Sequence, residues 1–220
     1  MKLVRAELKT ETKPDSPQQI MHVAFIDHYD SFSYNLIDWL GQGSPSLEIE
    51  YIAKDDVKAM ELLRLRPRPL VLSPGPGHPL EQTATSQLAR DLLGTVPILG
   101  ICLGHQILGL IAGGTVVRSR FPLHGSCRVV DLEGECRLFA AAPSPLCVAS
   151  YNSLTVQGVS SGDWKISARS RDGDVQAIEQ HKAPWLTAGV QFHPESHLSE
   201  NCAGIAQVWM AEARRWFDNH

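Results

Sequence analysis

The sequence lacks the features that define several common classes of protein. Its five cysteines form no C-x-x-C pair, and their odd number argues against a disulfide framework or a zinc site. No apolar run approaches the roughly 20 residues that a membrane helix needs. The formal net charge of −4 leaves no basic footprint for nucleic acid or for a membrane surface. These absences predict a cytoplasmic protein with neither nucleic acid nor membrane as a partner.

The 220 residues contain enough apolar sequence for one large domain, since 43% of them are hydrophobic and 20% are charged. Residues 1–20 mix acids with bases and hold no apolar stretch, so they resemble neither a signal peptide nor a typical transit peptide. We therefore predict a polar, partly disordered lead-in over residues 1–20 and a single folded domain over residues 21–220.

Short apolar runs alternate with helical patterns in the first half of the domain. The patterns predict strands at 22–27, 47–53, 69–74 and 96–101, and helices at 34–40, 57–66, 83–94 and 105–114. This alternation predicts an α/β fold, with an open, mostly parallel central sheet and helices on both faces. Further strand-like segments are expected to extend the sheet as an antiparallel meander; they are 115–119, 127–132, 146–152, 164–170, 174–180 and 186–192.

Cys102 lies in Gly100–Gly104, which has the form of a G-x-nucleophile-x-G elbow between a strand and a helix. The helix N-terminus favours thiolate over thiol, and the amide of Leu103 is free to donate to an oxyanion. Gln106 shares a helix face with Cys102 and can contact an amide-bearing ligand. Cys102 is therefore a candidate nucleophile, and the alternative is a buried structural cysteine.

A candidate base follows the last strand-like segment. A thiol that attacks an unactivated amide needs a base that takes its proton and returns it to the leaving ammonia, and histidine is the usual choice. Glu195, two residues beyond His193, can hold the imidazole in one tautomer. Cys102, His193 and Glu195 are thus a candidate triad, and the alternative for His193 is a surface His-Pro turn.

Two loops offer hydrogen-bond donors. In Ser73–Gly77, two glycines leave backbone amides that can donate to an oxyanion or a carboxylate, although such sequences also form ordinary turns. In Ala149–Leu154, Ser153 offers a hydroxyl and Leu154 a main-chain amide.

Together these segments resemble the class I (triad) glutamine amidotransferases, which have a flavodoxin-like fold, over about residues 22–217. The motifs that carry the resemblance are FIDHYDSFSYNL, VLSPGPGHP, PILGICLGHQILG, PLHG, SYNSL and GVQFHPESHLSE. YDSFxYN together with SPGPGxP looks like the glutaminases of two chorismate-using enzymes, anthranilate synthase and 4-amino-4-deoxychorismate (para-aminobenzoate) synthase.

The resemblance implies that Cys102 forms a γ-glutamyl thioester from L-glutamine, with His193 and Glu195 handling the proton. It also implies a glutamine and oxyanion site formed by Gly75, Pro76, Gly77, Leu103, Gln106, Ser153 and Leu154. The ammonia would pass to a chorismate-using synthase subunit or fused domain. No metal or organic cofactor is implied for this chain, whereas magnesium is expected in the synthase partner.

The sequence departs from the family pattern near this site. Asn152 stands where the family usually has histidine, and His28 replaces the asparagine of DNYDS. We favour 4-amino-4-deoxychorismate synthase, because the polar extension and the divergent second half look like its fused, eukaryotic-type versions. The alternatives are the anthranilate synthase component and, from another class, a catalytically silent subunit that only docks a partner.

Overall fold

The computed structural model describes residues 2–5, 19–44, 46–159 and 162–220. In chain order the strands are β1 (Lys2–Arg5), β2 (Met21–Asp27), β3 (Leu47–Ala53), β4 (Leu70–Leu72), β5 (Ile98–Ile101), β6 (Thr115–Arg118), β7 (Ser126–Leu132), β8 (Leu146–Ser150), β9 (Leu154–Gln157), β10 (Trp164–Ser170), β11 (Val175–Gln180) and β12 (Thr187–Val190). The helices are α1 (Ser33–Gly41), α2 (Val57–Leu65), α3 (Thr83–Leu92), α4 (Leu103–Ile111) and α5 (Ala203–Asp218), and a 3-10 helix spans Pro79–Glu81.

Ten of the described strands form one sheet in the order β1-β3-β2-β4-β5-β12-β11-β10-β7-β8. The central strands from β3 to β12 run parallel, as the intervening helices require. Beyond β12 the sheet continues through antiparallel pairs to β8. The predicted α/β fold, with its antiparallel extension, is therefore confirmed.

The predicted extension is wrong for residues 115–119. There β6 pairs antiparallel with β9 in a separate two-stranded sheet, so it does not extend the main one. In the predicted lead-in, β1 pairs antiparallel with β3 at the sheet edge. Residues 1 and 6–18 lie outside the described residues, so the predicted disorder stays a prediction there.

The alternation of side chains along β2 separates two cores. Val23 and Phe25 belong to the core shared with α1 and α5, whereas Ala24 and Ile26 belong to the core under α2, α3 and α4. The carboxyl ends of the parallel strands lie at one edge of the sheet, which is where open α/β folds bind their ligands. No helix in the described part of the chain is long and apolar enough to cross a bilayer.

Candidate active site

Cys102 occupies a strained turn between β5 and α4. Its φ of 50° lies in the left-handed region, which is unusual for a residue other than glycine. The Cys102 amide donates to the carbonyl of Val190 over 2.8 Å, which ties the turn to β12. A Cβ atom at Gly104 would lie 2.3 Å from the carbonyl oxygen of Leu72, so only glycine lets α4 begin this close to β4.

His193 reaches the turn because β12 pairs in parallel with β5. The chain that leaves β12 is held by the His193 amide, which donates to the carbonyl of Ala149 over 3.0 Å. The Nδ1 atom of His193 lies 2.7 Å from the Oε1 atom of Glu195, whose side chain is almost fully buried. On its other side the imidazole lines one cavity together with Cys102, and the two groups interact electrostatically. The structure thus brings the three predicted triad residues together.

The environment of His193 favours its charged form. Burial alone lowers its pKa, but the interactions with Cys102 and Glu195 outweigh burial and raise the pKa well above its ordinary value. A cation next to sulfur is the setting in which cysteine reacts as a thiolate. The arrangement therefore favours an imidazolium in the cavity that Cys102 lines.

A cavity opens beside the Cys102 side chain, and all the ligand-binding residues predicted from the sequence line it. Its lining is Gly75, Pro76, Gly77, Cys102, Leu103, Gln106, Tyr151, Asn152, Ser153 and Leu154. Strand-end loops and the first turn of α4 therefore supply the walls, and the nucleophile forms part of the same surface.

His28 and Asn152, which depart from the family pattern, contact the loops that line this cavity. A Cβ atom at Gly75 would lie 2.5 Å from that of His28, which packs directly under the loop. The amide of His28 donates to the Ser73 hydroxyl over 2.8 Å, and burial lowers the pKa of His28 to about 4. Asn152 donates from Nδ2 to the carbonyl of Leu154 over 2.9 Å, so it fixes the turn at the cavity wall.

Gln191 is a site residue that sequence reasoning missed. Its Nε2 atom donates to the Sγ atom of Cys102 over 3.6 Å, and its Oε1 atom accepts from Gln106 over 3.1 Å. Its position two residues before His193 could have indicated that it reaches the site, because side chains two residues apart in an extended segment lie on the same side.

A second cavity adjoins Cys102 on the side of the loop between β2 and α1. Its lining is Tyr29, Asp30, Ser31, Phe32, Pro74, Gly75, Pro76, Cys102, Tyr151 and His193. Burial is the main cause that raises the pKa of Asp30. The motifs YDSFSYN and SYNSL contain Asp30, Phe32 and Tyr151, but their position in the sequence did not indicate that these side chains flank the nucleophile.

Among the described residues, no group of three or more His, Cys, Asp or Glu side chains is placed to hold a metal ion. All five cysteines are free thiols.

Comparison with known proteins identifies the class. The family model for class-I glutamine amidotransferases matches residues 24–211. The bifunctional protein TrpGD of Thermotoga maritima is 39% identical over 182 residues, which cover 82% of this chain and only 30% of that longer protein. Aminodeoxychorismate/anthranilate synthase component 2 of Bacillus subtilis is 34% identical over 178 residues, covering 80% of this chain and 89% of that protein.

A solved structure with the same fold is a glutamine amidotransferase from Thermotoga maritima. Its TM-score is 0.67 at 20% identity, covering 92% of this chain and 86% of that one. The chain belongs to the class-I glutamine amidotransferase family. The prediction that it is a glutamine amidotransferase is therefore confirmed.

Proposed function

We propose that this chain is the glutaminase component of a chorismate-aminating synthase. It hydrolyses L-glutamine to glutamate and ammonia, and the ammonia passes to a synthase subunit or fused domain. The observation that carries the proposal is the His193–Glu195 pair, which shares one cavity with Cys102, while Cys102 also borders the cavity lined by Gly75, Gly77 and Leu103.

The first half-reaction forms a thioester. The Cys102 proton rests on His193, and the sulfur attacks the side-chain carbonyl carbon of glutamine. The negative charge that develops on the carbonyl oxygen is stabilised by backbone amides of Leu103 and of the loop with Gly75 and Gly77. The C–N bond then breaks as the imidazolium gives its proton to the leaving ammonia.

The second half-reaction restores the enzyme. His193 takes a proton from water, and the resulting hydroxide attacks the thioester carbonyl. The C–S bond breaks, glutamate leaves, and the sulfur returns to its starting state. Glu195 keeps the imidazole in one orientation through both steps. No metal or organic cofactor from this chain enters either step, and magnesium is expected in the synthase partner.

The names of the relatives support a chorismate-using partner, because the Bacillus subtilis protein is named for both the aminodeoxychorismate and the anthranilate reaction. We propose 4-amino-4-deoxychorismate as the first product candidate and anthranilate as the second. Exposed aromatic side chains at the mouth of the second cavity, Tyr29 at 53% and Phe32 at 41%, fit a partner surface close to the nucleophile. We expect the complex to act in the cytoplasm.

The substitution Cys102→Ser tests the proposal. In the complex with each candidate synthase, we expect it to abolish glutamine-dependent amination of chorismate and to leave ammonia-dependent amination intact. Chromatography of the aminated product identifies which synthase the chain serves.

A glutamine-analogue diazo-ketone provides the companion measurement. We expect one adduct, on Cys102, in mass spectra of the wild-type complex and none in Cys102→Ser. Absence of the adduct from the wild-type complex would favour the docking-only subunit. Loss of the ammonia-dependent activity in the variant would instead assign Cys102 a role in folding or docking.

A further inference from the structure

The side chain of Gln191 joins the nucleophile to the wall of the substrate cavity. It is fully buried, and both of its polar ends contact site residues. The Nε2 atom donates to the Sγ atom of Cys102 over 3.6 Å, and the Oε1 atom accepts a hydrogen bond from the Nε2 atom of Gln106 over 3.1 Å.

The backbone fixes Gln191 in this position. It follows directly after β12, and its amide donates to the carbonyl of Gln176 on β11 over 2.8 Å. Since β12 pairs with β5, the same short segment delivers the carboxamide of Gln191 and the imidazole of His193 to the Cys102 turn.

Resting on the proposed function, we infer that Gln191 is a catalytic residue that stabilises the sulfur of Cys102 in its anionic form. A buried anion needs hydrogen-bond donors, and bonds to a charged acceptor are stronger than neutral ones. His193 gives its proton to the leaving ammonia, whereas the carboxamide of Gln191 does not titrate and keeps donating through the cycle. It therefore supports the thiolate before attack and again when the C–S bond of the thioester breaks.

Gln191 also orients Gln106. The two N–H bonds of the Gln106 carboxamide are directed to the Gln191 Oε1 atom and to the carbonyl of Leu154, the latter over 3.4 Å. No described residue donates to the remaining Oε1 atom of Gln106. Gln106 thus presents an acceptor to the cavity, which suits the α-ammonium group of glutamine.

A variant at Gln176 can distinguish hydrogen bonding by Gln191 from the simple filling of space. Gln176 is also fully buried, but neither polar atom of its side chain has a partner among the described residues. Gln176→Met is therefore a matched control for Gln191→Met, because each replaces a buried glutamine by an apolar chain of similar length.

The test is the rate at which iodoacetamide alkylates Cys102, followed by mass spectrometry across the neutral pH range. Loss of one hydrogen bond to a charged acceptor lowers the population of the thiolate by about tenfold, and the alkylation rate falls with that population. We expect Gln191→Met to slow alkylation by that factor at neutral pH and to move the pH profile upward, with Gln176→Met matching the wild type. Gln191→Glu keeps an acceptor for Gln106 but places a carboxylate beside the sulfur, so it should slow alkylation at least as much.

The steady-state constants distinguish the contact of Gln191 with Cys102 from its contact with Gln106. Gln191→Met should lower kcat and raise KM for glutamine, whereas Gln191→Glu should mainly lower kcat. Alkylation of both variants at the rate of Gln176→Met would overturn the inference. Iodoacetamide needs no glutamine site, so this result is independent of the diazo-ketone adduct, whose absence from wild type would instead contradict the proposed function.

Discussion

His28 and His105 are both fully buried, and burial lowers the pKa of each to about 4. In the unfolded chain these imidazoles return to a pKa of about 6.5. Between the two values the unfolded state binds more protons, so the free energy of unfolding falls as the pH drops through this window. His193 acts in the opposite sense: its raised pKa contributes stability below about 6.5, which is lost as the pH rises through the folded-state value.

The substitution His28→Asn should therefore reduce sensitivity to acid, because it removes one imidazole that must stay neutral in the fold. The free energy of unfolding, measured with urea at about pH 7 and about pH 5, should differ less in the variant, by a few kcal/mol at most. His124→Asn, at an exposed position, is the control. An unchanged pH dependence in His28→Asn would mean that His28 accepts a proton without loss of the fold.

Gly104 decides how α4 meets the sheet. Alanine is the better helix former by about 1 kcal/mol, so propensity alone predicts that Gly104→Ala is stabilising. The new Cβ atom would, however, lie 2.3 Å from the Leu72 carbonyl oxygen, and overpacking of this kind costs about 1–3 kcal/mol or more. We expect a lower melting temperature in Gly104→Ala, measured by calorimetry.

Gly162→Ala provides the comparison, because nothing lies within 4 Å of its new Cβ atom. Its melting temperature should stay close to that of the wild type. Equal values for the two variants would mean that α4 can move away from β4 without loss.

The elements that the sequence predicted well are those with a strong local pattern. The strand 47–53 agrees with β3 at both ends, and the elbow at Cys102 was evident from its glycines. The separate pairing of β6 with β9 was missed, because partner choice depends on contacts distant in sequence. The contact of Gln191 with sulfur was missed as well, since it depends on a network of side chains that no local pattern specifies.

In the whole complex, removal of metal should stop the synthase reaction and leave the glutaminase step unaffected. The proposed glutaminase step uses side chains and backbone amides of this chain and no metal, whereas the synthase partner is expected to need magnesium. EDTA should therefore leave diazo-ketone labelling of Cys102 unchanged and abolish formation of the aminated product, with recovery on added magnesium. Loss of labelling in EDTA would show that this chain also depends on a metal.

The pairing of β5 with β12 has a consequence for control of the enzyme. Cys102 and His193 follow adjacent strands, and the bond from the Cys102 amide to the Val190 carbonyl locks their register. A slip by one residue would turn every side chain of β12 to the opposite face. We therefore expect that the proposed synthase partner has little scope to switch hydrolysis on by changing the spacing between the Cys102 sulfur and the His193 imidazole. We expect the partner to act instead on the surrounding loops, Ser73–Gly77 and Ala149–Leu154, whose amides are proposed to bind glutamine.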